Sequence, residues 1–334
     1  SHHWNGEDVM GIFFNEFSRY KKKSDAGQVF TPDHITSLMY RLLNVDQDDK
    51  VLDATCGSGA FLVKAMSNMI KEAGGVSTSK AKQIKSEQLF GIELYRKVYA
   101  LACANMLTHK DGKTNLQQLD AKSEEAGEWI KSIGITKVLM NPPYERKYGC
   151  MKIVQNVLDN VPKGTKAAFI LPNTKLDKDN GAKLLKDHTL THIIKLPSKT
   201  FVNVSVETSI FIFETGVPHP KHLKIKAFNI EEDGLETVKN QGRHDVNNLW
   251  QDIENYWVEA ISNGTDEKYD TLKLLDPKEG LSYPEPEVEV VLHFEDFMKT
   301  ALDYQMFQQR IDESVIKETF ITKLYSVETF EQGE

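Results

Sequence analysis

The sequence predicts an α/β protein with a doubly wound, mostly parallel sheet of seven strands. Short hydrophobic runs of strand length alternate with helical runs from Lys50 onwards. The hydrophobic (40%) and charged (27%) fractions are those of a globular protein. No apolar run reaches the roughly 18 residues of a membrane span. The last two strands have no helix between them, so we expect an antiparallel C-terminal hairpin.

Helices are expected before the first strand. A helix over about Gly6–Tyr20 carries an apolar stripe. A second begins sharply, with Thr31 as the expected N-cap and Pro32 as its first helical residue.

The alternating elements follow in chain order. Strands are expected at Lys50–Ala54, Gln88–Glu93, Asn115–Leu119, Lys137–Met140, Ala167–Leu171, Leu190–Leu196 and Val206–Phe213. Helices are expected at Ala60–Ala73, Tyr95–Leu107, Met151–Asn160 and Asn180–Lys186. The looser final third predicts a strand over Lys221–Ile230 and helices over Val246–Ile261 and Glu313–Phe330.

Composition divides the 334 residues into three expected parts. These are an N-terminal helical segment at 4–26, a main α/β domain at 27–215 and an acidic extension at 216–334. The extension has 12 Lys and Arg against 25 Asp and Glu, whereas residues 1–215 have 29 against 24. A mildly basic main part is compatible with a polyanionic substrate. The acidic extension is better suited to docking another protein.

Cysteine and histidine usage predicts a reducing location and no metal. The three cysteines lie far apart and form no Cys-x-x-Cys pair. His188 and His192 are four apart, but their only close carboxylate is the adjacent Asp187. We therefore expect neither a zinc site nor any other metal site.

A glycine-rich turn follows the first strand. The strand beginning at Val51 runs into Gly57, Ser58 and Gly59 and then into a helix. Glycines let the backbone pass close to a ligand, and the helix N-terminus offers free N–H groups. Leu62 stands where a dinucleotide fingerprint requires its third glycine, and no Gly-Lys-Ser/Thr of a P-loop follows. A ligand-binding turn and an ordinary tight βα turn both remain open.

An acidic residue ends the second strand. Glu93 closes the run Phe90-Gly91-Ile92-Glu93. In nucleoside-binding α/β folds, a carboxylate here accepts hydrogen bonds from ribose hydroxyls. Together with the glycine turn, Glu93 favours a nucleoside ligand.

A stiff, acceptor-rich loop follows the fourth strand, with the sequence Asn141-Pro142-Pro143-Tyr144. Two prolines fix φ and remove two N–H donors. The Asn141 amide oxygen and the Pro142 carbonyl can both accept from one exocyclic NH₂ group, and Tyr144 offers an aromatic face. The loop suits a planar aromatic amine such as adenine.

These motifs, in this order, resemble the adenine-N6 DNA methyltransferases, and in particular the modification (M) subunit of type I restriction–modification systems. The resemblance covers about residues 7–245. The motifs that carry it are Gly27-Gln28-Val29-Phe30-Thr31-Pro32, Asp53–Leu62, Glu93 and Asn141–Tyr144. It implies a class I S-adenosylmethionine-dependent methyltransferase fold and methyl transfer to the N6 amino group of adenine in DNA, with base flipping.

The resemblance also implies roles for individual residues. Thr31 and its helix would meet the methionine carboxylate of S-adenosylmethionine, Glu93 the ribose and Asp120 the adenine end. The implied cofactor set is Gln28, Phe30, Thr31, Asp53, Gly57, Ser58, Gly59, Phe61, Glu93 and Asp120. Asn141, Pro142 and Tyr144 would receive the target base, with Phe201 stacking opposite Tyr144.

The chain departs from the family at two points. Ala54 replaces the usual proline after Asp53, which slightly reduces backbone rigidity. The family also carries a longer helical domain than the 26 residues that precede Gly27 here.

Several alternatives stay open. The same loop serves methylation of cytosine N4, RNA bases and protein glutamine, all planar amines. A non-catalytic scaffold that binds DNA or a partner is a different class of function. The missing third glycine disfavours a nicotinamide dehydrogenase. The implied partners are DNA, a specificity (S) subunit and a restriction (R) subunit, with no membrane, in a prokaryotic cytoplasm.

Overall fold

The computed structural model describes residues 31–284, except 110–114, 145–147, 178, 202–205 and 239–241, and five residues between 300 and 308. The chain forms two compact units, Ser1–Tyr283 and Pro284–Glu334. In the second unit, the five residues between 300 and 308 are helical, and Gln308 Nε2 donates to the Tyr304 hydroxyl at 2.9 Å. Among the described residues, no helix is long and apolar enough to cross a membrane.

The described residues of the first unit form a nine-stranded mixed sheet and a separate two-stranded ribbon. Its strands are β1 (Val51–Asp53), β2 (Leu89–Ile92), β3 (Asn115–Gln117), β4 (Lys137–Met140), β5 (Lys166–Pro172), β6 (Thr189–Lys195), β7 (Thr208–Glu214), β8 (Ile225–Asn229), β9 (Glu236–Val238), β10 (Gly242–His244) and β11 (Lys273–Leu275). The order across the large sheet is β11-β8-β6-β7-β5-β4-β1-β2-β3, and β9 pairs with β10 in the ribbon.

The sheet is mainly parallel, as the sequence predicts. Strands β3, β2, β1, β4 and β5 pair in parallel, and β6 pairs in parallel with β8. Strand β7 is antiparallel to both β5 and β6, and lies between them. The expected antiparallel pairing of the strands predicted at Leu190–Leu196 and Val206–Phe213 is confirmed by β6 and β7.

The predicted count of seven strands is wrong. Strands β8 and β11 extend the same sheet beyond β6, with β11 antiparallel to β8. The reason is backbone pairing, since the N–H and C=O groups on the side of β6 away from β7 pair with β8 from His192–Lys226 to Lys195–Asn229. Both added strands come from the part beyond 215. The boundary between 215 and 216 stays a prediction.

Helices cover both faces of the sheet. They are α1 (Asp33–Leu42), α2 (Ala60–Glu72), α3 (Ser79–Glu87), α4 (Arg96–Thr108), α5 (Glu124–Ile133), α6 (Cys150–Asn160), α7 (Asp179–Leu184) and α8 (Trp250–Asn263). Side chains of α1 to α4 and α8 share one core cluster with Val51 of β1. Those of α5, α6 and α7 share the other with Leu52. Neighbouring strand residues point to opposite faces, so the sheet is doubly wound.

This topology brings the functional motifs together. Chain order reverses on either side of β1, whose neighbours are β2 and β4. In open α/β sheets, ligands bind outside the carboxyl ends of the strands at such a switch point. Asp53, Glu93 and Asn141 lie at or directly after the carboxyl ends of these three strands.

Candidate functional site

The glycine turn after β1 takes a backbone shape that favours glycine. Gly57 and Gly59 have φ of 56° and 91°, and Gly59 is the N-cap of α2. A Cβ added at Gly57 would meet no atom within 4 Å, so the space above the turn is open. Asn105 on α4 supports the turn through its Nδ2, which donates to the Ser58 carbonyl at 2.9 Å. The turn is therefore held in place and leaves room for a ligand.

Glu93 is bonded directly to the glycine turn. Its carboxylate accepts from the Gly57 N–H at 3.2 Å and from the Tyr95 N–H at 2.8 Å. The side chain is buried, and this desolvation raises its pKa. The structure thus places side by side two features that the sequence associates with a nucleoside.

Asp53, at the end of β1, is also buried. Desolvation raises the pKa of Asp53 to about 8. The Thr55 N–H, which donates to the Asp53 carboxylate at 3.0 Å, lowers this pKa, and the nearby Glu93 carboxylate raises it further. A carboxyl group with this pKa holds its proton at neutral pH much of the time. Two acids can therefore lie close together without two full charges.

The other residues assigned to the cofactor lie in different surroundings. Asp120 follows β3 and accepts from the Lys122 N–H at 3.0 Å. The Phe61 side chain lies in the hydrophobic core and is 2% exposed. Gln28 and Phe30 lie outside the described residues. The cofactor-binding roles of all four residues stay predictions.

Asn141 is the centre of a chain of three side chains. Its Nδ2 donates to the Thr31 hydroxyl at 3.0 Å, and its Oδ1 accepts from the Tyr144 hydroxyl at 2.6 Å. Lys175, after β5, donates from Nζ to the Tyr144 carbonyl at 3.2 Å. Burial raises the pKa of Tyr144 well above its ordinary value, so the phenol stays neutral.

Thr31 is not the N-cap that the sequence predicts. Helix α1 begins at Asp33, its N-cap is Pro32, and no side chain caps it. Pro32 has an extended ψ of 146°, which places the helix start one residue later than expected. The Thr31 hydroxyl is bonded to Asn141 instead. The helix N–H groups are therefore without a side-chain cap.

Phe201 lies in the hydrophobic core on the same face of the sheet as Tyr144. It is 6% exposed and belongs to the hydrophobic cluster against which Tyr144 packs. Its loop is fixed by Arg243, which donates from Nη1 to the Lys199 carbonyl at 3.1 Å. Arg243 also pairs with the buried Asp233 through two bonds of 2.5 and 2.6 Å.

The two histidines weighed as metal ligands contact different groups. His188 lies 3.0 Å from Asp159 and accepts from the Gly216 N–H at 3.2 Å. His192 contacts the Thr191 hydroxyl at 2.9 Å. In the part of the chain that the structure describes, no three His, Cys, Asp or Glu side chains form a metal-binding group.

Comparison with known proteins identifies the family. The model of the N-6 DNA methylase family matches residues 6–157 and 151–260. The chain belongs to this family. The resemblance that the sequence motifs suggest is thereby confirmed.

One relative is the type II restriction enzyme and methyltransferase RM.BcgI of Heyndrickxia coagulans. It is 34% identical to this chain over 250 residues, which cover 70% of this chain and 39% of that protein. The type I restriction enzyme EcoEI methylase subunit of Escherichia coli is 23% identical over 318 residues, 78% of this chain and 64% of that subunit. The chain thus spans between two fifths and two thirds of these curated relatives.

Solved structures show the same fold. A modification subunit of a putative type I restriction enzyme from Vibrio vulnificus superposes with a TM-score of 0.64 at 18% identity, covering 85% of this chain and 66% of that one. The type I restriction enzyme EcoKI M protein gives a TM-score of 0.58 at 19% identity, covering 70% of this chain and 54% of that one. A putative class I S-adenosylmethionine-dependent methyltransferase from Listeria monocytogenes gives a TM-score of 0.55 at 17% identity, covering 79% of this chain and 80% of that one.

Two further side chains at the site could not be expected from the sequence. Lys175 and Arg243 belong to no local motif, and their partners lie 31 and 44 residues away along the chain. A lysine three residues after β5 and an arginine in a short ribbon carry no signal that sets them apart from surface cations.

Proposed function

We propose that the chain forms the catalytic part of an adenine-N6 DNA methyltransferase that uses S-adenosylmethionine in a restriction–modification system. The observation that carries the proposal is the position of Asn141. Its amide follows β4 at the switch point of the sheet, with Tyr144 beside it and the Glu93–Gly57 contact on the neighbouring strands.

The residues at the switch point fit S-adenosylmethionine. Glu93 offers a buried carboxylate for ribose hydroxyls, and the open turn at Gly57 admits a ligand close to the backbone. The start of α1 has no side-chain cap, so its N–H groups and helix dipole suit a carboxylate. When bound, S-adenosylmethionine supplies a methyl group on a cationic sulfonium, which is already an electrophile.

The base loop fits an amino group on a planar ring. Asn141 Oδ1 and the Pro142 carbonyl are acceptors, and both would bind the two N–H groups of the adenine amine. The Tyr144 hydroxyl donates to Asn141 Oδ1 in this structure, which leaves the second lone pair of that oxygen for the base. The partly buried Tyr144 ring would then offer a face for stacking, with Phe201 on the opposite side of the base.

Catalysis by these residues is positioning and electrostatic stabilisation. The Asn141 oxygen would accept from the amine and stabilise the positive charge that develops on its nitrogen. No strong general base is needed, because the sulfonium of S-adenosylmethionine would already be a cationic electrophile. An adenine inside a duplex must be flipped out, at a cost of a few kcal/mol that stacking offsets.

The names of the relatives support a proposal for the partners. EcoEI and EcoKI are named as methylase subunits of type I restriction enzymes, and RM.BcgI as a restriction enzyme and methyltransferase in one. We propose that this chain binds DNA together with a specificity subunit, and a restriction subunit, in a prokaryotic cytoplasm. The segment 4–26, the domain 27–215 and the docking role of 216–334 are part of the same proposal.

Transfer of tritium from labelled S-adenosylmethionine to DNA tests the function. The chain is assayed with and without a co-expressed specificity subunit, and the modified nucleoside is identified by mass spectrometry. N6-methyladenine is the expected product. N4-methylcytosine, label in RNA or label in protein would identify one of the other planar amines as substrate. Binding of DNA without transfer in both preparations would favour a scaffold.

A further inference from the structure

The Asn141 side chain is bonded at both ends of its amide. The nitrogen end donates to Thr31, and the oxygen end accepts from Tyr144. Thr31 is 110 residues away in sequence and lies just before α1, the helix whose start we assign to the cofactor. The Thr31 hydroxyl does not cap that helix.

An asparagine amide can turn by 180° with little change in shape, which exchanges its donor and acceptor ends. The amine of adenine has only donors for this contact. It therefore needs the oxygen of Asn141, and a reversed amide would place NH₂ against NH₂. In the orientation that offers Oδ1 to the base, the Thr31 hydroxyl accepts from Nδ2, so the nitrogen end of the amide is also paired.

We propose that Thr31 is a positioning residue for methyl transfer, because its hydroxyl accepts from Asn141 Nδ2 and keeps Oδ1 facing the target amine. The proposal rests on the function proposed above. It gives the Thr31 hydroxyl a role toward the base and leaves the methionine carboxylate to the helix N–H groups. One residue thus links the start of the cofactor-side helix to the base loop.

Two variants separate the hydroxyl from the shape of the side chain. Thr31→Val keeps the volume and branching but removes the acceptor. Thr31→Ser keeps the acceptor. With valine, the Asn141 nitrogen loses its partner, and the loss of one such bond in the productive state lowers kcat about tenfold. Affinity for S-adenosylmethionine should not change, because the backbone and the start of α1 are kept.

The first measurement needs no activity. Protein labelled with ¹⁵N-asparagine gives a side-chain amide signal for Asn141, which is assigned by its loss in Asn141→Asp. We expect Thr31→Val to shift this signal and speed its exchange with water, while Thr31→Ser leaves it near the wild-type position. A signal that is the same in wild type and Thr31→Val would overturn the proposal, whether or not the protein methylates DNA.

The second measurement compares kcat with cofactor affinity in the preparation that methylates DNA. The expected result is a lower kcat for Thr31→Val, recovery in Thr31→Ser and equal calorimetric Kd values for S-adenosylmethionine. A parallel loss of affinity and rate would place Thr31 in the cofactor site and refute the positioning role. If no preparation methylates DNA, the proposed function fails, while the amide signal still decides the role of Thr31.

Discussion

Asn141 and Asp53 show how burial sets the chemistry of single side chains at this site. Asn141 has its oxygen bonded to a neutral phenol, and Asp53 is a buried acid whose pKa is raised to about 8. Neither property is visible in the residue type. Each gives a prediction that concerns one side chain.

Asn141→Ala should abolish methyl transfer and leave cofactor binding intact. The amide acts on the base, and removal of a group that stabilises developing charge costs about 100-fold or more in kcat. Calorimetry measures the Kd for S-adenosylmethionine, and tritium transfer measures the rate. Loss of cofactor binding in this variant would refute the assignment of Asn141 to the base.

The stability of the cofactor-free protein should fall as pH rises from about 4 to about 8. The folded-state pKa of Asp53 is about 8 against an ordinary value of 3.8, so the folded chain keeps a proton that the unfolded chain has lost. This contribution is fully present below the lower value and is lost as pH rises through the upper one. Asp53→Asn still accepts from Thr55 but has no carboxyl group to titrate. Between pH 5 and 8.5, the Tm of this variant should therefore change by several degrees less than the Tm of the wild type. Parallel profiles would mean that Asp53 is ionised when folded.

Local sequence could predict which strand ends carry acids and amides, because hydrophobic runs and their boundaries are local. It could not predict the bond between Thr31 and Asn141, since that contact depends on how α1 packs against the sheet. It also placed the helix start one residue early, because Thr-Pro is a common capping pair, whereas Pro32 itself has the extended ψ of an N-cap residue.

Elements were predicted well where their apolar pattern is strong. Strands β1 to β7 and helices α2, α4, α6 and α7 lie where the sequence places them, with ends that differ by a few residues. Helices α3 and α5 were missed, although Thr78 and Ser123 cap them by accepting from N–H groups at 3.0 and 3.1 Å. Helix α3 is short and polar and has little apolar periodicity, whereas α5 is short but has a clear apolar stripe that could have predicted it. The helices expected at 6–20 and 313–330 lie outside the described residues.

The turn between β1 and α2 offers a test at the level of an element. Gly59→Ala places a side chain at a φ of 91°, which costs about 1–2 kcal/mol of folding free energy. Because the turn lies under the assigned cofactor, we also expect weaker binding of S-adenosylmethionine. Gly164→Ala is a matched control, since Gly164 has a φ of 83° and an added Cβ would meet no atom within 4 Å.

Both glycine variants should lower Tm by similar amounts, and only Gly59→Ala should raise the calorimetric Kd. Equal Kd values in the two variants would show that the turn does not contact the cofactor.

The charge distribution gives a prediction for the molecule as a whole. Residues 1–215 have a balance of five positive charges and 216–334 of thirteen negative ones. The isolated chain should therefore bind DNA weakly and without sequence preference, with Kd near 10⁻⁴–10⁻⁶ M at physiological salt as an order of magnitude. Gel shifts over random and candidate sites, at several salt concentrations, measure this. A preference of about a thousandfold for one sequence would contradict the need for a specificity subunit.

Contacts between distant parts of the chain were the least predictable. Arg243, from the short ribbon beyond 216, holds the loop before Phe201 and is itself held by Asp233. Arg41 on α1 pairs with the buried Glu254 on α8 at 2.8 Å. Composition separates the acidic residues after 216 from the rest, but these bonds join them to the α/β core. A charge count cannot reveal such pairing.

The place of β8 beside β6 also determines where the chain can be shortened. Four consecutive pairs, from His192–Lys226 to Lys195–Asn229, cover one side of β6. A fragment ending at residue 215 would leave that side with unpaired N–H and C=O groups along a hydrophobic strand. Such an edge is a template for pairing with another copy, so the fragment would be prone to aggregate. A cut near 283, where the first compact unit ends, keeps the edge covered.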